Sequence, residues 1–270
     1  LKSVVDANYS GNPAPLISNQ PSTVDWSIIL PVSQNPDNFL ALLEQISVHS
    51  DDESFEVILI KPETVSEPIQ QVLDSLEGNL TIITRDETTL IPETMNQAAL
   101  KAKGKHLIFM TPDLAPKEDW LTALKNGVKK FKNSKIFGAR IINRFNNIVH
   151  SGIILNPNNQ PASAYLHLDD KFPHVCKTRS FQMIDLFLST EKSFFLSSGG
   201  FEIRSGRYMF MDLCLRSIKT ASDPEAVMYL HDVLLISLDQ TNPEKGHEDS
   251  IFFHSKWHEK LWESEKEPVS

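Results

Sequence analysis

Few residues in this chain are placed to do chemistry, and one of them stands where a strand would deliver it. In HLIFMTPDLAPKEDWL, residues 106–121, four apolar residues at 107–110 run into a turn carrying Asp113. A proline and the start of an amphipathic helix follow. A buried parallel strand presents an acid in this way, at its carboxyl end, where open α/β sheets bind ligands. The competing reading makes Asp113 a side-chain cap for a helix starting near Pro116. Elsewhere the chemistry is thinner. Nine histidines occur, but none has the paired spacing of a zinc site, and only two cysteines, Cys176 and Cys214, are present to join them. His254 and His258 share a helix face without a third ligand and read as solvated positions. SSGG at 197–200 lacks the Lys-Ser/Thr that completes a phosphate loop, and no Gly-x-Ser-x-Gly elbow supports a hydrolase triad. Cys214 lies in an apolar helical stretch and reads as buried and inert. Trp120, Trp257 and Trp262 sit at helical spacings beside apolar residues and read as core or groove-lining anchors.

Composition narrows the classes. The chain has 270 residues, enough for one large α/β domain or two small ones. Its net charge of −9, with no run of Lys or Arg, argues against a nucleic-acid surface. No apolar stretch has the length of a membrane span. Two cysteines make no disulfide framework, so a reducing cytoplasm is the simpler expectation. The chain opens at Leu1 on a Ser-, Pro- and Asn-rich stretch, which reads as a linker or lead-in over residues 1–24 and suggests other domains in a longer parent chain.

The elements that must position Asp113 begin at Trp26. WSIILPV, FEVILI, LTIIT and HLIFM are apolar, β-branched runs, each followed by an amphipathic helical stretch: NFLALLEQISVH, PIQQVLDSL, PETMNQAALKAKG closed by Gly104, and KEDWLTALKNGVKKF. Strict alternation implies right-handed crossovers and a parallel sheet, so the fold class is α/β, a Rossmann-like, mostly parallel sheet flanked by helices. Ligands belong at the carboxyl ends of the strands, residues 31–35, 61–64, 84–87 and 111–114. The second half changes character. KIFGARIINRFNNIVHSGIIL reads as a hairpin turning at Asn146-Asn147. Residues 156–180 form a long polar loop. FQMIDLFLS then reads as a strand, EKSFFLSSGGF as a short helix ending at a Gly pair, YMFMDLCLRSIK as a helix, AVMYL as a strand ending at His231, and DSIFFHSKWHEKLWES as a terminal helix.

In this order the pieces resemble the family 2 glycosyltransferases of the GT-A fold, over residues 25 to about 262. SIILPV is similar to the family's first strand, and MNQAALKAKGKHLIFMTPDLAPKEDWL to its segment before and around Asp-x-Asp. GARIINRFNNIVHSGIIL resembles a hairpin of bacterial members, and SSGGFEI the acceptor-side Gly-Gly-Phe-Asp-Glu motif. DLCLR resembles the helix carrying the acidic motif, VMYLH the late histidine, and FFHSKW a C-terminal Phe-x-x-Lys-Trp element.

The resemblance implies a GT-A domain over 25–263, with a nucleotide-binding half at 25–115, an acceptor half at 116–263 and a tail at 264–270. If active, it would transfer a sugar by inversion from a nucleotide-diphospho-sugar donor to an unknown glycan or protein acceptor, with Mg²⁺ or Mn²⁺ neutralising the leaving diphosphate. Asp113 matches the second acid of Asp-x-Asp and His231 the histidine of the metal shell, His231 otherwise simply ending a strand at the surface. Pro31, Val32 and Lys61 would line the nucleotide, and Gly199 and Gly200 the acceptor side. The chain departs from the pattern at three points. Thr111 replaces the first acid of Asp-x-Asp, and Lys61 stands where the family has a base-binding Asp. Met209 and Phe210 occupy the Glu-Asp that supplies the general base. Neither side chain accepts a proton, so Asp212 and Glu202 are left as substitute carboxylates. Met209, Phe210 and Met211 otherwise read as apolar residues facing the core or plugging an acceptor pocket. The alternative function is a catalytically inactive binding or scaffolding module of a larger glycosylation protein.

Overall fold

A computed structural model describes residues 24–50, 54–156, 158, 160–221, 225–238 and 247–263, with backbone alone at 219–221, 247–248 and 258–263. The lead-in expected over residues 1–24 (its last residue excepted), the tail at 264–270 and the side chains of His258 and Trp262 lie outside the described residues.

The first half alternates as its apolar periods require. Strands β1 (Trp26–Pro31), β2 (Phe55–Pro62), β3 (Leu80–Arg85) and β4 (His106–Met110) are each followed by a helix or turn; the three intervening helices are α1 (Pro36–Val48), α2 (Glu67–Asp74) and α3 (Ile91–Lys101). β1 lies between β2 and β4, parallel to both, and β3 extends the sheet beyond β2. After β4 come β5 (Leu114–Pro116), α4 (Trp120–Lys130), β6 (Ile136–Ile142) and the short strands β7 (Ile148–His150), β8 (Ile153–Leu155), β9 (Pro161–Ser163) and β10 (Arg179–Ser180). Then follow β11 (Phe187–Glu191), α5 (Lys192–Ser197), a 3-10 turn (Ile203–Tyr208), α6 (Met209–Ala221), β12 (Val227–Ser237) and α7 (His247–Glu263). The sheet order is β10-β12-β6-β11-β4-β1-β2-β3. β11 runs antiparallel between β4 and β6, which therefore share a direction with β12.

Alternate side chains of the central strands feed two cores. Ile28, Leu30, Val57, Leu59, Ile108 and Met110 pack under α1, α2 and α4. Ile29, Ile58, Ile60, Leu107 and Phe109 pack under α3, α5, α6 and α7. Trp120 and Trp257 are buried, as their spacing predicts.

Several boundaries differ from the expectation. α4 begins at Trp120 behind Asp119, because residues 114–116 form an antiparallel strand on Leu235–Ser237. α3 ends at Lys101, and Gly104 is needed for approach instead: a Cβ there would lie 2.6 Å from the Ser27 amide. The hairpin turns where expected, with Asn146 at φ +59°, but its second strand breaks at Gly152 and β8 pairs with β9. Residues 181–186 are not strand. β12 does not stop at His231; it bulges between Leu230 and Leu234 and continues to Ser237. His254 is not a solvated position, since its ring lies against Tyr208 and Phe253.

Candidate active site

At the carboxyl ends of β1 and β4 the chain builds a small polar cradle. Asn35 caps α1, its side chain accepting from the Asp37 and Asn38 amides at 3.0 and 3.1 Å. Ser33, 2% exposed, accepts from the Asn35 amide and donates its hydroxyl to Asp113 Oδ1 at 2.8 Å. Asn38 Nδ2 reaches the same oxygen at 3.5 Å. The Asp113 carbonyl accepts from Leu238 at 2.8 Å, so the turn is pinned to the end of β12. Asp113 caps no helix; the helix it was set against starts behind Asp119. Its other oxygen, Oδ2, carries no hydrogen bond among the described residues. Ser33, Asn38 and Asp113 thus join the loops of two adjacent strands, the place where a parallel sheet binds ligands. Pro31 is half-buried and Val32 buried at the end of β1. Lys61, at the end of β2, is turned to α2 and donates to Gln70 Oε1 at 3.3 Å. Thr111 is held by its amide, which donates to the Leu186 carbonyl at 2.9 Å.

The residues expected on the acceptor side form a second, tighter assembly. Gly199 and Gly200 have φ of +80° and +69°, conformations that favour glycine. Asn96 of α3 clamps the loop, accepting from the Phe201 amide at 2.8 Å and donating to its carbonyl at 2.9 Å. A Cβ at Gly200 would lie 2.6 Å from Asn96 Oδ1, whereas one at Gly199 would meet nothing within 4 Å. Arg216 donates to the carbonyls of Ser198 and Gly200, both at 2.6 Å, and through Nε to Asp212 Oδ2 at 2.8 Å. Asp212 is fully buried. Its Oδ1 accepts from Trp257 Nε1 at 2.9 Å and from Lys256 Nζ at 2.7 Å. Both carboxylate oxygens are therefore occupied in fastening α6, α7 and the Gly-Gly loop together. Glu202 caps the 3-10 turn, accepting from the Arg204 amide at 3.3 Å, with Lys256 Nζ at 3.8 Å. Met209, Phe210 and Met211 are buried in the second core. The Phe210 ring sits 5.4 Å from that of Phe201 and 6.5 Å from Phe109. Phe210, where the resemblance expects a base, is thus packed into an aromatic cluster with Phe201 and Phe109.

His231 stands in the β12 bulge. Its Nδ1 lies 2.8 Å from Thr178 Oγ1 and its Nε2 3.0 Å from Asp232 Oδ1. No hydrogen bond or ion pair joins it to Asp113. Among the described residues no group of three or more His, Cys, Asp or Glu could hold a metal ion unaided. The residues fit a hard cation only as a minority partner: Asp113 supplies one carboxylate, and a bound diphosphate would supply the other oxygens. Cys214, on the same face as Phe210, is buried, and burial pushes its thiol up to about 12, which makes it inert.

The sequence singled out Asp113, the Gly pair and the apolar triplet at 209–211. It did not single out Ser33, Asn96 or Arg216 as partners. Asn96 lies 105 residues from Phe201, and only the fold brings them together.

The model of "Glycosyl transferase family 2" matches residues 27–181. A search of curated protein sequences finds no significant match. Among solved structures, GalNAc-T7 with UDP, GalNAc and Mn²⁺ is similar at a TM-score of 0.64 and 9% identity, over 90% of this chain and 50% of that one. TarS from S. aureus with UDP-GlcNAc gives 0.55 and 14%, over 84% and 61%. The mannosyltransferase PcManGT from Pyrobaculum calidifontis with GDP-Man and Mn²⁺ gives 0.53 and 13%, over 84% and 61%. The chain thus spans about half to three-fifths of these structures, and at such identities the likeness is one of fold, the GT-A arrangement of a mostly parallel sheet between helices. With more than half of its residues matched by the family model, the chain belongs to glycosyl transferase family 2.

Proposed function

We propose that this domain binds a nucleotide-diphospho-sugar at the carboxyl ends of β1, β2 and β4 and transfers the sugar to an acceptor lying over Gly199 and Gly200. The observation that carries the reading is the Ser33–Asn38–Asp113 cradle, a half-buried carboxylate with one oxygen left open at the donor edge of the sheet. In this reading residues 25–115 form the nucleotide half and 116–263 the acceptor half. Pro31 and Val32 floor the nucleotide site, with Lys61 at its far side. Asp113 would hold Mg²⁺ or Mn²⁺, whose role is to neutralise the departing diphosphate. The solved neighbours carry UDP, UDP-GlcNAc or GDP-Man, and two carry Mn²⁺, so these define the donor panel and the first metal to test. His231 would join the shell only after releasing Thr178 or Asp232. Two free cysteines suit a reducing, cytoplasmic setting.

One observation favours a second reading, donor binding without transfer: Phe210, where the resemblance expects the base, packs against Phe201, and Asp212 spends both oxygens on Arg216, Lys256 and Trp257. The assay that separates the two measures release of nucleoside diphosphate from UDP-GlcNAc, UDP-GalNAc and GDP-mannose with Mn²⁺, water serving as the acceptor of last resort. Release that disappears in Asp113→Ala supports transfer chemistry. Donor binding without any release supports the second reading.

A further inference from the structure

A further carboxylate stands at the carboxyl end of β4, across that strand from the Ser33–Asp113 cradle. β11 pairs antiparallel with β4, Phe187 opposite Met110, and the Thr111 amide donates to the Leu186 carbonyl at 2.9 Å. Continuing that register sets Asp185 against Pro112. Asp113 and Asp185 therefore straddle one proline at the carboxyl end of β4. Asp113 faces β1 and the donor loops, while β11 lies on the other side of β4, toward β6. Asp185 is half-buried, unlike Asp212, which is sealed.

The backbone is bent to present it. Regular alternation would put Leu186 and Phe187 on opposite faces, yet both pack on the first core, while Ile184 packs on the second. The cause is Leu186, a non-glycine residue held at φ +66°. Strain of this kind persists only where the surroundings impose it, and it gathers at functional sites. Here the Thr111 bond fixes the Leu186 carbonyl, the Asp185 amide donates to Nε2 of the buried His150 at 3.3 Å, and Asp185 Oδ1 accepts from the Leu186 amide at 2.9 Å. The backbone of Ile184, next to Asp185, hydrogen-bonds the Cys214 thiol of α6. Ile184, the preceding residue, packs in the second core together with Phe210 and Cys214, so Asp185 follows directly on a residue of the cluster that holds the first turns of α6.

We propose that Asp185 is the acceptor-side carboxylate of this domain. It takes the proton of the acceptor hydroxyl as that oxygen attacks the anomeric carbon; the bond from that carbon to the diphosphate oxygen breaks, and the diphosphate leaves with the electron pair. The proposal rests on the transfer reading above. The experiment compares wild type, Asp185→Asn and Asp185→Ala, with donor binding by calorimetry and nucleotide release across pH on the same panel. Asp185→Asn should bind donor as wild type does and release nucleotide about 10²–10⁴-fold more slowly, the usual worth of a general base. The acidic limb of the pH profile should vanish with it. Formate or azide should restore release in Asp185→Ala, a rescue that a merely structural carboxylate would not show. Release by Asp185→Asn at the wild-type rate, or a loss in Asp185→Ala that formate and azide both fail to restore, overturns the proposal. A wild type that releases nothing from any donor overturns the transfer reading, and this proposal with it.

Discussion

Asp113 and Asp212 are both acids that the resemblance sets on motif positions, and their surroundings give them opposite characters. Asp113 carries two side-chain donors on one oxygen and caps no helix, so Asp113→Ala should lower stability by no more than about 1 kcal/mol, a typical single hydrogen bond. Urea unfolding checks this, and a loss of several kcal/mol would show Asp113 to be a structural acid instead. Asp212 is sealed among Arg216, Lys256 and Trp257. Asp212→Ala leaves two cations and an indole N–H without their partner in a buried setting, and should cost about 3–5 kcal/mol by the same measurement. Near-wild-type stability there would mean that the network relaxes into water. The place of Asp113 was legible in the sequence because an apolar run ending in a turn sets an acid at the carboxyl end of a parallel strand, although the same residues also allowed a helix cap. Its partners were not: nothing in the spacing of Ser33 or Asn38 says that β1 and β4 are neighbours. Phe210 was legible as a core residue, and the aromatic rings around it are where that reading leads.

At the scale of elements, the Gly-Gly loop is held by Arg216 of α6 and by a clamp from a helix distant in sequence. Asn96 makes both bonds to Phe201, and a side chain at Gly200 would run into it. Asn96→Ala should cost about 2–3 kcal/mol for two part-buried hydrogen bonds and should loosen residues 198–201. Hydrogen exchange at the Phe201 amide reads this directly, and unchanged protection would contradict it. Cys214 tests the packing of α6 from another side. Its thiol, pushed up to about 12 by burial, should stay unmodified by a thiol reagent at pH 8 until the protein unfolds. The sign is that of an acid kept neutral by the fold: between the ordinary thiol range and about 12 the folded state holds the extra proton, so this group's effect is to erode stability as pH rises through that window. Long apolar strands and amphipathic helices were plain in the sequence because each buries a full face. β5 and the far half of β12 were not. Three residues containing a proline give no period, and the β12 bulge at 231–233 breaks the alternation that a strand is read by. Asp185 stayed hidden for a related reason, since the left-handed Leu186 interrupts the strand it precedes.

Over the whole molecule, the Ser33–Asp113 cradle follows two neighbouring strands of one ten-stranded sheet, and the Gly-Gly loop is tied to α3 and α6, which pack on one face of that sheet. Among the described residues no helix is long and apolar enough to cross a membrane. The family assignment follows from the chain itself, while the donor, acceptor and chemistry rest on the cradle at β1 and β4. The most direct test of that centre is calorimetric titration with UDP and GDP, with and without Mn²⁺, on wild type and Asp113→Ala. The account predicts saturable binding by wild type to at least one nucleotide, strengthened by Mn²⁺, and a loss of at least about tenfold, or ~1.4 kcal/mol, in Asp113→Ala. Equal binding by the two proteins, or no binding by wild type under any condition, would contradict it.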